Sequence, residues 1–244
     1  MKFNNRNVQI SKKARIGNNV QIGDNTIIYD NVEIGNNTTI CNDCILGEPT
    51  ASFYSDPKYE NEPTFIGANS LVRSHAIIYA GAYIGDHFQS GHRITIREAS
   101  FIGNGCRIGT LSDLQGYLKI GDNCHLHSNV HLCQKSELKD HVFLYPFSVL
   151  MNDKYPPSTE VMGPTIDNYS QIGAHAVIAG NIKIGKHCLV GASSNVTKDF
   201  DDYSFLTGSP ARLKSDVRNL KNESGDQLYP WKERFSRGMP WEKP

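Results

Sequence analysis

The sequence predicts an all-β chain wound into a parallel β-helix of three-sided coils, with one six-residue side following another. Three observations predict it. Stepping by six from Ile102 gives Ile108, Leu114, Ile120, Leu126, Leu132, Leu138, Leu144 and Leu150, a period that fits neither a 3.6-residue helix nor an alternating strand. The same ruler runs from Ile10 to Leu46, from Ile66 to Leu150 and from Ile166 to Val196, and of its twenty-eight slots only Ser90 is not aliphatic. Glycine often follows the slot, as at Gly17, Gly67, Gly103 and Gly173, and a small or branched residue stands four places after it, as at Val32, Ala76, Val130 and Ala176. The slot residue is read as pointing inward, glycine or asparagine as taking the tight corner, where positive φ is often needed, and the small residue as filling the remaining interior.

The chain then divides by where the ruler holds. Residues 1–199 form the helical tube, and its opening coils, Val8 to Leu46, are uniform (IGNNV, IGDNT, IGNNT) and read as scaffold. Residues 47–65 (GEPTASFYSDPKYENEPTF) break the period with prolines, aromatics and charges, the composition of a functional excursion. The period resumes at Ile66, breaks again over 151–165 (MNDKYPPSTEVMGPT) and returns from Ile166 to Val196. Residues 200–244 form the tail, where Gly208 to Arg212 is expected to turn the chain, Ala211 to Asn222 to form a short helix, and Tyr229, Trp231, Phe235 and Trp241 to pack on the tube or a neighbouring subunit.

The 244 residues carry 25 Lys and Arg against 25 Asp and Glu, so there is no electrostatic case for nucleic acid or an anionic membrane. The N-terminus lacks an apolar leader core and no apolar run is long enough to span a bilayer, so a cytoplasmic protein is expected. Cys44, Cys106, Cys124 and Cys188 fall at the inward small position and are read as packed free thiols. No metal requirement is read: the one C-x-x-C, Cys41 with Cys44, is explained by the repeat.

Counting slots in threes assigns each to a corner. If each excursion replaces one corner, Leu46, Ile78, Ile96, Leu114, Leu132 and Leu150 share an edge, and both excursions leave from it. Residues just past those slots stack at about 4.7–4.9 Å per coil: Arg97 and Glu98, Gln115 and Gly116, Cys133 and Gln134, Met151 and Asn152. The face leading into this edge carries Thr95, Asp113 and His131, with His92 at its far corner beside the polar slot Ser90. The interrupted period, the interior defect and the densest ionisable cluster are therefore expected in one neighbourhood, a substrate site roofed by two loops.

The pattern resembles the left-handed parallel β-helix of the hexapeptide-repeat acyltransferases over residues 8–199, and the left hand is what that resemblance implies. Residues 172–212, including GASSNVTKD and GSPAR, are similar to the closing coils of CoA-dependent members. By that likeness Ala174, Gly180, Gly191, Ala192 and Lys198 would line the thioester end or pantetheine arm of acetyl-CoA, or a longer acyl-CoA, in a groove between subunits of a homotrimer, with Arg212 near a phosphate. Asn152-Asp153-Lys154-Tyr155-Pro156-Pro157 is similar to the NDKYP loop of members that N-acetylate nucleotide-linked amino sugars for bacterial surface polysaccharides. It departs from them in a shorter excursion and in Pro157 where a basic residue is common. In related O-acetyltransferases this stretch presents a histidine base, whereas here the position holds Lys154.

That difference bears on the reaction. A hydroxyl needs a strong positioned base to attack a thioester, whereas a neutral amine needs placement, a proton acceptor and a donor at the thioester oxygen. The expected reaction is N-acyl transfer, with Glu98 or His92 accepting the proton and Arg97, His131, Gln134, Asn152, Asp153, Lys154 and Tyr155 around the sugar. Three alternatives stand beside it. O-acyl transfer would use His131, His127 or His92 as base, a zinc hydratase would use the H-x4-H pair His87 and His92, and a scaffold without activity would leave both loops without a purpose.

Overall fold

The computed structural model describes residues 3–228 and is a left-handed parallel β-helix built almost entirely of two-residue strands. Its three faces are called A, B and C in the order the chain enters them. Face A has ten strands, from Gln9–Ile10 to Asn195–Val196, and face B has nine, from Arg15–Ile16 to Lys183–Ile184. Face C has eleven, from Gln21–Ile22 to Ala211–Asp216. Among the described residues no helix is long and apolar enough to cross a membrane.

The period of six produces the tube because each slot side chain points to a common axis and the amide after it bonds to the next coil. Gly17 donates to the Ile34 carbonyl at 2.8 Å, Gly103 to Ile120 at 2.9 Å and Gly173 to Val190 at 2.8 Å. Slots from Ile28 to Val196 are buried, and the second inward position is buried too, with Ala76, Val130, Ala176 and the thiols Cys44, Cys106, Cys124 and Cys188 filling it. Packing these residues into one continuous core is what the hydrophobic term rewards.

The corner expectation holds for asparagine and not, within the regular coils, for the glycine after the slot. Positive φ falls three residues after the slot, at Asn19, Asn37, Asn69 and Asn123, and also at His87, His141 and His187. No β-branched residue takes this left-handed position among the described residues, as crowding at Cβ requires. The glycine just past the slot is there for closeness: a Cβ on Gly67 would lie 2.5 Å from the Asp86 amide nitrogen of the next coil. The recurring histidines are corner residues, and on one corner they stack. His141, Tyr169, His187 and Tyr203 follow one another at 4.7, 5.0 and 5.1 Å, with Arg218 over the last ring at 4.2 Å.

One further expectation changes. Ala211–Asp216 is a strand, paired antiparallel with Ser204–Gly208, which itself continues face C; only Val217–Asn219 makes a helical turn. The hairpin reverses at Gly208, φ +103, and occupies the exposed edge of the last coil, where a helix would leave the strand's ladder groups unpaired. The tail aromatics Tyr229, Trp231, Phe235 and Trp241 lie outside the described residues.

Candidate active site

Both excursions leave face A and return to face B. The first follows Ile45–Glu48 and ends at Thr64–Ile66; the second follows Val149–Leu150 and ends at Thr165–Ile166. They share the AB corner, as slot counting requires, and stand five coils apart, about 24 Å at 4.7–4.9 Å per coil.

The BC and AB corners differ in how their amides are used. At the BC corner the second residue after each slot is mostly Asn or Asp, and its side-chain oxygen caps the equivalent amide one coil earlier. Ala68 donates to Asp86 at 2.7 Å, Asp86 to Asn104 at 2.9 Å, Asn104 to Asp122 at 2.7 Å and Asp122 to Asp140 at 2.8 Å. That ladder is closed. At the AB corner the equivalent residues are Glu98, Gly116, Gln134, Asn152 and Gly180, and among the described residues their amides have no protein acceptor. Five consecutive coils thus present backbone donors along one rim, the kind of group that polarises a carbonyl or holds an amide chain.

The second loop is clamped onto this rim at its stem. Met162 donates its amide to the Asn152 carbonyl at 2.8 Å, and Asn181 of the next coil donates to the Met162 carbonyl at 2.8 Å. A Cβ on Gly180 would lie 2.7 Å from the Asn152 carbonyl carbon and 2.9 Å from the Met162 oxygen, and one on Gly163 would lie 2.3 Å from the Ser136 nitrogen. On one side of the stem is a cleft of about 510 Å³ bordered by Asn152, Lys154, Tyr155, Ser158 and Lys135. On the other is one of about 440 Å³ bordered by Tyr117, Lys135, Glu137, Met162 and Asn181. Within the loop both Asp153 carboxylate oxygens are taken by the loop's own donors: Oδ1 by the Tyr155 amide at 3.0 Å, Oδ2 by the Ser158 amide at 2.7 Å. The Ser158 bonds hold its pKa below the usual carboxylate range. Asp153 therefore shapes the loop. Lys154 and Tyr155 are exposed, with the ammonium 5.8 Å from the Tyr155 ring centroid.

Glu98 stands three coils below Asn152 on the same rim, about 14–15 Å away, with Gln134 between them. Its carboxylate is held in a fork by Arg97, Nε at 3.0 Å and Nη2 at 2.9 Å, and its side chain is only 15% exposed. Gly116 of the next coil, φ +93, leaves the carboxyl room: a Cβ there would lie 2.9 Å from the Glu98 carbonyl oxygen and 3.6 Å from its carboxyl carbon. A carboxylate has more acceptor sites than the fork consumes, so Glu98 retains capacity to accept a proton.

His131 lies on face A in register with Asp113, its Nδ1 3.3 Å from the Asp113 carboxylate. The hydrogen bond to Asp113, and secondarily one to Cys133, pushes its pKa up to about 10 from the ordinary 6.5. The Asp113 carboxylate thus favours the protonated form of the ring. Because the folded value is raised, the pair's stabilisation is complete below about pH 6.5 and is lost as pH rises through about 10. Both side chains are about a third or more exposed, so Asp113→Asn is expected to cost about 0.5–1 kcal/mol at pH 7 and nothing above pH 10.5. Proton NMR should show the His131 Cε1–H titrating above pH 9 in the wild type and near the ordinary imidazole value in the variant.

Several expected site residues lie apart from this rim. His92 is exposed on the CA corner, its amide 3.2 Å from Thr110 Oγ1, and borders a separate hollow with Ser74, His75 and Leu111. In one subunit it and Glu98 flank opposite ends of face A. Ser90 belongs to face C, and its hydroxyl accepts the Arg73 amide at 2.8 Å in place of a ladder carbonyl, so the polar slot is a satisfied structural feature. His87 is on the BC corner, so the H-x4-H spacing does not bring it to His92. His127 Nδ1 accepts the Ser128 amide at 2.8 Å, which places its proton on Nε2. Of the residues expected at the acyl donor, Gly180 and Lys198 lie on the AB corner and Ala174, Gly191 and Ala192 on the CA corner. Arg212 is exposed on the last strand of face C. The two groups bracket the closing strands of face A without meeting in one subunit. Sequence reasoning missed Lys135, which borders both clefts, and Gly116 as the partner of Glu98; for each the signal was its place on the shared edge.

Comparison with known proteins agrees with the coils. Residues 13–48 and 163–198 match the family described as bacterial transferase hexapeptide (six repeats). Those two stretches carry hexapeptide repeats, and the fold of the described residues is a left-handed parallel β-helix. A dTDP-3-amino-3,6-dideoxy-α-D-galactopyranose 3-N-acetyltransferase of Aneurinibacillus thermoaerophilus is 53% identical over 49 residues, 20% of this chain and 25% of that one. An acyl-[acyl-carrier-protein]–UDP-N-acetylglucosamine O-acyltransferase of Campylobacter concisus is 25% identical over 166 residues, 62% of this chain and 55% of that one. The chain thus spans about a quarter and about half of these relatives' lengths. Among solved structures, the UDP-N-acetylglucosamine acyltransferase from Campylobacter jejuni superposes with a TM-score of 0.52 at 18% identity, covering 94% of this chain and 80% of that one, a likeness of fold.

Proposed function

We propose that this protein is an acyl-CoA-dependent N-acyltransferase acting on the amine of a nucleotide-linked amino-deoxy sugar. The observation that carries the reading is the AB rim itself: open corner amides running past a shielded carboxylate, Glu98, to the clamped NDKYP stem. The partial likeness to an amino-sugar 3-N-acetyltransferase supports it. Acetyl-CoA is the proposed donor, a homotrimer the proposed assembly, and surface-polysaccharide synthesis in the cytoplasm the proposed setting.

In the proposed reaction the neutral amine attacks the thioester carbonyl, the carbon–sulfur bond breaks, and CoA leaves as the thiolate. The amine proton passes to Glu98. Corner amides at Gly116 or Gln134 hold the developing oxyanion, and Asn152 and Lys135 position the hexose. The histidines give weaker support to a hydroxyl acceptor: Asp113 favours the protonated form of His131, His127 carries its proton on Nε2, and His92 is on the CA corner of the same subunit. Offering acetyl-CoA with dTDP-3-amino-3,6-dideoxy-galactose or with its 3-hydroxy counterpart, and following thiol release, tests the reading. Release with the amine alone is expected; equal release with the hydroxyl sugar, or none with either, would overturn it.

A further inference from the structure

The first excursion is more ordered within itself than a plain surface loop. The Thr50 amide donates to the Tyr59 hydroxyl at 3.1 Å, the Asn61 side chain to the Gly47 carbonyl at 2.8 Å, and the Asn31 side chain to the Asn61 carbonyl at 2.7 Å. Yet this braced loop holds two rings in solvent: Phe53 is 50% and Tyr54 76% exposed, packed edge to face at 5.2 Å. Two adjacent rings held outward on a braced backbone offer a surface on which a planar base can stack.

The neighbours continue in a definite order up the AB corner. Glu48, at the loop's root, is half-buried near Tyr29, which in turn lies near Tyr54, and burial raises the Glu48 pKa. Tyr79 pairs with Glu48 in register and carries the Arg97 guanidinium 5.5 Å from its ring centroid. Two Arg97 nitrogens hold Glu98, which leaves N–H groups of the guanidinium for another anion. Gly116, on the proposed reaction rim, is three coils from Glu48, about 14–15 Å.

We infer that the first excursion is the nucleoside clamp of the acceptor substrate: Phe53 and Tyr54 stack the base, Glu48 accepts hydroxyl or N–H donors of the nucleoside, and Arg97 meets the diphosphate. Aromatic platform, carboxylate, guanidinium and reaction rim then follow the order base, ribose, diphosphate, hexose, over a length an extended nucleoside diphosphate hexose spans. The inference rests on the nucleotide-sugar reading above and deepens it by placing the nucleotide at the loop farther from the NDKYP stem.

Titrating the full chain with dTDP and with UDP, with no acyl donor and no amine present, tests it by calorimetry. At least one nucleotide should bind the wild type, and the double substitution Phe53→Ala, Tyr54→Ala should weaken it about tenfold or more. Both rings are exposed, so the thermal midpoint should stay within a few degrees, and a melt confirms that the variant is folded. Affinity unchanged within twofold, or no binding of either nucleotide, overturns the clamp. Nucleotide binding that depends on the two rings in a chain that acylates no amino sugar upholds the clamp and defeats only the transferase reading. Amino-sugar acylation with the same KM in the double variant does the reverse.

Discussion

Glu98→Gln is expected to lower kcat/KM for the amine acceptor by about a hundredfold or more, within the range a positioned proton acceptor supplies. The amide keeps the size of the carboxylate but cannot take the proton, and the loss should fall on kcat more than on either KM. Stability should move little. The Arg97–Glu98 fork is 41% exposed on the arginine side, and such pairs contribute about 0–1 kcal/mol. His92→Asn, on the CA corner, should leave kcat/KM within a few-fold. If Glu98→Gln also stays within a few-fold, the proton leaves by another route, through substrate or the CoA sulfur, and Glu98 loses its assigned role.

Gly180→Ala should reduce turnover by a similar factor for a different reason. The added methyl would sit 2.7 Å from the Asn152 carbonyl carbon, 2.8 Å from the Asp153 nitrogen and 2.9 Å from the Met162 oxygen. All three are backbone atoms of the stem, so no side chain can swing aside and the loop itself must shift. A displacement of about 1 Å in a positioning element costs on the order of a hundredfold in rate. Gly121→Ala provides the contrast on the BC corner, where the new methyl would meet Asp140 Oδ1 at 2.3 Å. That substitution should lower the melting temperature while each folded molecule keeps wild-type kcat. Equal loss of kcat in the two variants would mean that the second loop has no special part in the reaction.

The fold was legible because burial along a tube imposes the same demand every sixth residue, and from Ile102 to Leu150 that demand is met without exception. Counting those slots in threes also placed Leu46 and Leu150 on one edge, since a coil holds three hexads whatever the loops contain. What the period does not encode is which backbone groups the corners consume. Ser90 looked like an interior defect, but its hydroxyl replaces a ladder carbonyl for Arg73. Asp153, expected at the sugar, also accepts from Ser158 and Tyr155 within its own loop, which the period cannot foretell. His92 and Glu98 are close in sequence, yet a side of the prism separates them. The C-terminal strand Ala211–Asp216 escaped because its pattern, A-R-L-K-S-D, has no decisive period, and pairing with Ser204–Gly208 determines its conformation. The Asn and Asp ladder of the BC corner was visible in the sequence as a signal for the passive corner, and its absence along the AB corner marks the rim where ligands are expected.

Amide chemical shifts of the labelled protein, recorded with and without acetyl-CoA and dTDP-3-amino-3,6-dideoxy-galactose, test that rim most directly. Shifts and exchange protection should concentrate at Glu98, Gly116, Gln134, Asn152 and Gly180 and leave Asn104, Asp122 and Asp140 unmoved. Perturbation centred on the Asn104–Asp140 ladder, with the five AB-corner amides unchanged, would contradict the assignment.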